Sequence, residues 1–524
     1  MVYRKTWFSW VLWFLYAVLC IILLVVDGVV WMRHFTSLIG TSLLIGGLSV
    51  IPASACIYWI IRVVAVRIRK KSIWQERTVR IAACVFFVLI LVLGLGLRAG
   101  RLHDFMSMWN NKDHIIFFKA PNIISEQSME YYHMAEVSLQ SEISLTDYGL
   151  NDLYVALLST VLSFLGNKVT SAVCLQIFLQ IVGLVLAYAV TWKLARRLPA
   201  CVAILYLACS LCCLDMLTVF SSEWLYFVLY MFMMFAVVSF VKSYCADDIP
   251  RPLAICGAVA IGVLIGVLAY LDLTGLSLLA VMIIAAVGKK TELEATVYYN
   301  YSKGMNAAVI ICSCVSCVAV WHGAVYAAAY VKGTRFIADV TDRLWIFYRS
   351  GDLLTNIQPY FRDAYLIGLL IVPASFLIFE FFRSGKEQNY MPWIILCLVV
   401  APTPLAMSGE HGFVVLSLYI WAVLAGLGLQ NCLFGGEAKV RKATVEEIDT
   451  EEEKAEQSAG VEQTTETQES EVVENQTSKP RFIENPLPLP KKHVAKEMDY
   501  DYVVSEKDMK YDLYVSDDDD FDLK

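Results

Sequence analysis

Long apolar runs separated by short polar segments make up most of the first 434 residues of this chain. A helix needs about 20 apolar residues to cross the hydrocarbon core of a bilayer. By that measure the pattern predicts about twelve membrane-spanning helices. They lie at 8–31, 38–62, 79–97, 170–192, 199–217, 224–243, 252–270, 273–288, 306–330, 364–382, 391–407 and 412–434. Residues 153–165 are also apolar, but this shorter run is typical of an interfacial or re-entrant helix.

The positions of Lys and Arg predict the orientation of these helices. If the N-terminus lies inside, every predicted cytoplasmic segment is basic, as cytoplasmic loops of membrane proteins usually are. The basic groups are Arg4-Lys5, residues 67–71, residues 193–197, Lys242 with Arg251, Lys289-Lys290, Arg383 with Lys386, and residues 439–442. A full crossing by 153–165 would place 193–197 outside and break the pattern. We therefore predict a multi-pass protein of the cell membrane with both termini in the cytoplasm.

Composition agrees with an all-α integral membrane protein that carries a solvated tail. Apolar residues make up 58% of the 524 residues and charged residues 17%, which excludes an ordinary soluble enzyme. Residues 437–524 hold 25 Asp or Glu against 12 Lys or Arg, whereas residues 1–436 hold 24 acids and 30 bases. We predict three parts: a two-span addition at 1–78, a membrane domain at 79–435, and a disordered acidic tail at 436–524.

Two predicted outside loops are long enough to hold a site. The first, 98–169, is rich in acids and aromatic residues and includes the interfacial helix; the second, 331–363, is rich in Arg and Asp. Three shorter outside connections hold a carboxylate at the membrane edge, and these are Asp215 with Glu223, Asp272, and Glu410. Loops held by a rigid helical scaffold are where binding and catalytic residues concentrate, so we expect a site here.

An ordered series of short motifs runs from the first outside loop into the following spans. The motifs are Leu97-Arg98 with Arg101-Leu102, Tyr132-His-Met-Ala135, Tyr148-Gly149, Tyr154-Val-Ala-Leu-Leu158, Leu165-Gly166-Asn167, Leu194-Ala-Arg196-Arg197 and Ser221-Ser222-Glu223. Their order and spacing resemble the multi-pass glycosyltransferase-C class, which includes protein O-mannosyltransferases and bacterial aminoarabinose and galacturonic acid transferases. The likeness covers about residues 80–290 and, more faintly, 391–430, where Gly409-Glu410-His411-Gly412 precedes the last span.

The resemblance implies transfer of a sugar from a polyprenyl-phosphate carrier to a glycan, lipid or protein acceptor at the outer face. In that class a carboxylate of the first outside loop activates the acceptor hydroxyl, just ahead of a Tyr-x-x-x-Ala run. Here Gln127 stands four residues before Tyr131, so the nearest acids are Glu126 and Glu130, which share one helix face if the segment is helical. The resemblance implies catalytic roles for Glu126, Glu130 and Glu223. It implies substrate contacts for Arg98, Arg101, Tyr131, Tyr132, Asp272, Glu410 and His411.

Each of these residues also has a plainer interpretation. Glu126 and Glu130 are equally compatible with surface charges on a loop helix, and Glu223 with a favourable charge at a helix N-terminus. Asp272 suits a turn between two spans.

The sequence contains no dedicated metal motif, because Cys314 and Cys317 form a lone C-x-x-C inside a span. The resemblance leaves open whether a divalent cation takes part.

Alternatives from other functional classes also fit the sequence. A transporter or flippase of lipid-linked sugars would have internal repeats and charges at the bilayer midplane, and the lack of a Walker A motif counts against ATP-driven transport. A non-catalytic scaffold would act through its acidic tail, which a cytoplasmic protein would bind. A degenerate transferase would have lost its catalytic acid. The basic runs suit contact with an anionic lipid surface, so no nucleic acid is expected.

Overall fold

The computed structural model describes residues 3–4, 7–35, 41–69, 76–110, 126–140, 150–218, 220–245, 249–288, 296–332, 364–383, 387–388, 391–400 and 412–434. Helices account for nearly all of these residues. The one exception with regular structure is an antiparallel pair of two-residue strands, β1 (Tyr3–Arg4) and β2 (Glu387–Gln388), in which Tyr3 pairs with Gln388. The prediction of an α-helical integral membrane protein is therefore confirmed.

Sixteen helices are present in the part of the chain that the structure describes. They are α1 (Trp7–Phe35), α2 (Thr41–Leu48), α3 (Val50–Arg69), α4 (Glu76–Asn110), α5 (Glu126–Gln140), α6 (Leu150–Leu165), α7 (Val169–Leu194), α8 (Arg197–Cys209), α9 (Leu211–Asp215), α10 (Ser222–Cys245), α11 (Arg251–Leu271), α12 (Leu276–Gly288), α13 (Thr296–Lys332), α14 (Ala364–Arg383), α15 (Met391–Val400) and α16 (Gly412–Phe434). Short 3-10 turns at Met216–Thr218 and Leu273–Gly275 follow α9 and α11.

Each of the predicted spans overlaps a described helix. Among the described residues, eight helical segments are long and apolar enough to cross a membrane. They are Trp7–Val30, Leu44–Arg67, Thr78–Asp104, Val169–Leu194, Ser222–Cys245, Arg251–Leu271, Gly304–Lys332 and Val415–Leu433. Shorter apolar helices lie at Leu150–Leu165, Arg197–Cys209, Leu273–Val287 and Leu370–Phe382. The count of twelve spans and the orientation stay predictions.

The first outside loop begins later than the sequence indicates. Helix α4 continues without a proline to Asn110, so residues 98–110 are helical rather than part of a loop. Its 35 residues extend over about 52 Å, which exceeds the hydrocarbon thickness. The predicted helix at 153–165 is confirmed as α6. Residues 333–363 of the second loop and the predicted disordered tail at 436–524 lie outside the described residues.

Small residues allow close packing between the helices of the bundle. Helix α11 runs along α13, with Gly262 and Gly266 one turn apart at the interface. A β-carbon at Gly266 would lie 2.6 Å from the carbonyl oxygen of Cys317, so only glycine fits this approach. Such small-xxx-small pairs are typical of helices that pack in lipid, where backbone proximity replaces the hydrophobic effect as the driving force.

The predicted N-terminal addition packs against helices near the end of the membrane unit. The Tyr16 hydroxyl of α1 donates a hydrogen bond to the Ala374 carbonyl of α14 at 2.9 Å. One oxygen of Glu380, also on α14, accepts from the Tyr58 hydroxyl at 2.7 Å and from Arg62 Nη1 at 3.0 Å. The Arg62 and Glu380 side chains are only 12% and 8% exposed. A buried ion pair therefore joins α3 to α14.

We predict that Arg62→Met lowers the free energy of unfolding by about 3–5 kcal/mol, because it leaves the Glu380 carboxylate buried without its counter-charge. The double variant Arg62→Met with Glu380→Leu should be much closer to the wild type. Thermal unfolding of the purified protein in detergent measures both effects. The exposed Arg67 of the same helix gives the control Arg67→Met, and an equal loss in the control and in Arg62→Met would contradict the prediction.

Candidate functional site

Asn151 joins three helices at one end of the bundle, the predicted outer end. Its side-chain oxygen accepts a hydrogen bond from the Tyr131 hydroxyl of α5 at 2.9 Å and another from the Ser222 hydroxyl of α10 at 2.6 Å. Ser222 is buried and is the first residue of α10, so the next residue, Glu223, lies in the first turn beside this junction. The Glu223 side chain is half-buried. The structure thus brings the Tyr131 region and Glu223 to one end of the bundle.

A second junction fixes a carboxylate that the sequence analysis did not select. Asn167, which precedes α7, accepts from the Tyr132 hydroxyl at 2.8 Å and donates to Glu136 Oε1 at 2.7 Å. The other Glu136 oxygen lies 3.4 Å from His133 Nδ1. Burial and the Glu136 carboxylate raise the pKa of the Tyr132 hydroxyl above its ordinary value, so this hydroxyl stays protonated and donates. Glu136 is consequently held in one position at the surface of α5.

Two glutamines lead from this end into the bundle along α7. The Tyr154 ring packs edge-on against Tyr131, and its hydroxyl accepts from Gln176 Nε2 at 2.6 Å. Gln180 follows one turn later on the same face of α7, about 6 Å further along the helix. Its side-chain nitrogen donates to the Cys213 carbonyl at 2.8 Å, and its oxygen accepts from Arg98 Nε at 2.7 Å. Polar side chains thus follow one another from α5 to Arg98, and we call this series the polar file; Gln176 Oε1 has no hydrogen-bond partner among the described residues.

Arg98 is a fully buried cation, and its hydrogen-bond acceptors among the described residues are all neutral oxygens. Its Nη1 donates to the carbonyls of Gly94 at 3.0 Å and Ala208 at 3.2 Å. Nη2 has no hydrogen-bond partner among the described residues, and no carboxylate of that part of the chain pairs with the guanidinium. A charge buried at membrane depth without a counter-ion costs several kcal/mol. This environment suits an anionic group of a bound molecule.

The structure places the other predicted site residues in different environments. The Glu130 and Arg101 side chains are exposed. Glu126 is the first residue of α5, so the predicted placement of Glu126 and Glu130 on one helix is confirmed, but the Glu126 side chain lies outside the described residues. Glu410 and His411, backbone and side chain alike, also lie outside the described residues. Their proposed roles stay predictions.

Asp272 caps the turn between α11 and α12. Its Oδ1 accepts from the backbone nitrogen of Thr274 at 2.7 Å, and its carbonyl accepts from the Tyr226 hydroxyl at 3.3 Å. These contacts support the turn role, and a substrate contact stays a prediction. Burial raises the pKa of the Asp272 carboxyl above its ordinary value, although the hydrogen bonds from Thr274 oppose this effect.

The sequence analysis missed the amides that connect the site. Gln176 and Gln180 carried a usable signal, because two amides four residues apart within an apolar span share one face and are costly unless they meet a partner. Asn151 and Asn167 flank the short apolar helix α6, but asparagine at helix ends is common for other reasons. Glu136 was one of many acids in the loop, and only the packing of α5 on α6 distinguishes it.

No protein-family model and no curated protein sequence matches this chain. Within the described ranges, no group of three or more His, Cys, Asp or Glu side chains is placed to hold a metal ion.

We predict opposite effects for two substitutions of Asp272. A carboxyl with a raised pKa in the folded state stabilises the fold while it is protonated, and this contribution is lost as the pH rises through the folded pKa. Asp272→Asn keeps the acceptor oxygen and removes the charge, so its stability relative to the wild type should improve from acid to neutral pH. Asp272→Ala removes the cap and should lose about 1 kcal/mol. Thermal unfolding at several pH values measures both, and a pH-independent Asn effect would contradict the assignment.

Proposed function

We propose that this protein is a membrane glycosyltransferase that moves a sugar from a polyprenyl-phosphate carrier to a cell-surface acceptor at the outer face of the membrane. The observation that carries the proposal is the buried Arg98, with one guanidinium nitrogen unpartnered among the described residues, at the end of a polar file that begins beside the acids of α5. The candidate anion site and the candidate proton acceptors thus lie at the two ends of one series of polar side chains.

Arg98 is suited to bind the carrier phosphate. Its Nη2, which has no hydrogen-bond partner among the described residues, has N–H groups to donate to phosphate oxygens, and the guanidinium remains charged at any physiological pH. Tyr419 of α16 lies within electrostatic range of Arg98, and its buried hydroxyl also has no hydrogen-bond partner among the residues described. Both groups would stabilise the negative charge that develops on the leaving phosphate.

The reaction needs a base for the acceptor hydroxyl. The hydroxyl oxygen bonds to the anomeric carbon of the donor sugar, the bond from that carbon to the phosphate oxygen breaks, and the hydroxyl proton passes to a carboxylate. Glu136 accepts from Asn167, Glu223 follows Ser222 at the Asn151 junction, and the Glu130 side chain is exposed. Glu126 remains a candidate from the sequence. Polyprenyl phosphate is the leaving group.

A transporter or flippase of lipid-linked sugars is the second candidate. The observation that favours it is the depth of Gln180, which lies eleven residues into α7 and therefore about 17 Å along that helix. An anion bound there is well inside the bundle. A flippase would carry the intact lipid-linked sugar across the membrane, whereas a transferase would release polyprenyl phosphate. A non-catalytic scaffold would neither carry the lipid across the membrane nor release polyprenyl phosphate.

We predict that Arg98→Gln weakens donor binding by about 2–5 kcal/mol, because the phosphate loses its buried counter-charge. Binding of polyprenyl-phosphate sugars to the purified protein in detergent is the measurement. Arg80→Gln, near the other end of the same helix, is the matched control and should bind as the wild type does. If Arg98→Gln folds and binds the donor normally, Arg98 is not the phosphate site.

We predict that replacing the catalytic carboxylate lowers turnover by about 100- to 10,000-fold, with folding intact. The series is Glu126→Gln, Glu130→Gln, Glu136→Gln and Glu223→Gln. Each variant is assayed for release of polyprenyl phosphate from a panel of donors and acceptors, and the one that abolishes release identifies the base. If donor lipids neither turn over nor bind, the transferase proposal fails, and transport of lipid-linked sugars into liposomes becomes the next assay.

A further inference from the structure

Two carboxyl groups are buried within the apolar helices near the N- and C-terminal ends of the membrane unit, and their surroundings differ. Glu380 of α14 is ion-paired with Arg62 and accepts from the Tyr58 hydroxyl. Asp27 of α1 is just as deeply buried, at 6% exposure, but its Oδ1 has no hydrogen-bond partner among the described residues. The proposed transferase chemistry uses neither group.

Asp27 lies on the face of α1 that packs into the protein. Tyr16, Cys20 and Leu24 are buried on this face, and Asp27 continues it at the spacing of an α-helix. The face contacts α14 through the hydrogen bond from Tyr16 to Ala374, and the Tyr16 ring also stacks on Trp421 of α16. Asp27 is therefore turned toward neighbouring helices and away from lipid.

No positive charge of the described residues is placed to neutralise Asp27. Arg33 is six residues further along α1, about 9 Å away along the axis and about 120° around it, and it is exposed. Gly28 packs against Gly47 and Val50, so Asp27 is level with the start of α3, and Arg62 lies a further twelve residues, about 18 Å, along that helix. Arg62 is in any case paired with Glu380.

The helices that pack against α1 carry few other titratable groups. Helix α2 has none. The charged or titratable residues of α3, α14 and α15 are Cys56, Tyr58, Arg62, Arg67, Arg69, Tyr365, Glu380, Arg383 and Cys397. Those of α1 itself are Tyr16, Cys20, Asp27, Arg33 and His34. Cys20 and Cys397 lie near each other on the buried side of α1, and a neutral thiol does not compensate a carboxylate.

We propose that Asp27 is a proton-binding site within the membrane-spanning helices. An ionised carboxylate at this position would be buried without a counter-charge, at a cost of several kcal/mol, and binding a proton removes that charge. The neutral carboxyl is then able to release and regain its proton when α1 moves or when water reaches it. The site is separate from the polar file at Arg98, so it does not depend on the proposed transferase activity.

A hydrophobic carbodiimide tests the proposal on the full-length protein in detergent. The reagent reacts with a protonated carboxyl. The carboxyl proton passes to one nitrogen of the carbodiimide, the carboxyl oxygen bonds to its central carbon, and the acyl group then migrates to nitrogen to give a stable N-acylurea. All atoms of both reactants are retained in the product. Peptide mass spectrometry then locates the adduct, and Glu380 provides an internal comparison of similar burial.

We expect an adduct on Asp27 at neutral pH, a decline of labelling as the pH rises, and no adduct on Glu380 because its carboxylate is ion-paired. Asp27→Asn should lose the adduct, while Arg62→Met should expose Glu380 to labelling. Infrared spectra give a measurement that does not require access of the reagent. The C=O stretch of a protonated carboxyl, distinct from carboxylate bands, should be present in the wild type and weaker in Asp27→Asn by the contribution of one carboxyl.

Three results would overturn the proposal. The first is an infrared spectrum in which the protonated-carboxyl band is unchanged by Asp27→Asn. The second is labelling of Asp27 that does not fall with rising pH. The third is labelling that sodium ions suppress at constant pH, which would make a metal cation, and not a proton, the occupant of the site.

Discussion

The lack of hydrogen-bonding solvent inside a bilayer is the constraint on which this structure depends, and Arg98 is where it acts most strongly. A buried guanidinium is costly unless the protein or a bound group supplies acceptors for its donors. Arg98 finds its acceptors on its own helix at Gly94, on α7 at Gln180 and on α8 at Ala208. Gln180 is in turn held by the Cys213 carbonyl of α9. Arg98 thus links α4 to α7 and α8 directly, and to α9 through Gln180.

Three buried charged groups meet this constraint in three ways. Glu380 has an opposite charge and a tyrosine hydroxyl, which is the arrangement expected of a structural contact between helices. Among the described residues, Arg98 has only neutral acceptors and one nitrogen without a partner, which is the basis for proposing that it binds an anion. Asp27 has neither a cation nor a partner for one oxygen among the described residues. The surroundings of each group, more than its residue type, separate a structural role from a functional one.

The helices were predictable from the sequence, and most contacts between them were not. About 20 apolar residues in sequence are sufficient to indicate a span, because the bilayer thickness acts on each segment separately. The partner of Gln180 and the position of Glu136 depend on which helix faces pack together. A single sequence does not contain that information. On α5 the spacing placed Glu126 and Glu130 on one helix, but the packing against α6 buries Tyr131, Tyr132 and Ala135 instead.

The packing beyond Arg98 bears on the choice between a transferase and a transporter. On the side toward the predicted cytoplasm, Leu184 and Ala187 of α7 and Leu207 of α8 are completely or almost completely buried. A β-carbon added to Gly94 would lie 3.3 Å from the Ala208 side chain, so the helices are close together there. The polar file therefore ends at Arg98 in a tightly packed apolar layer. If an anion binds at Arg98 as proposed, this apolar layer lies beyond it among the described residues, which favours chemistry on a bound lipid over its passage through the bundle.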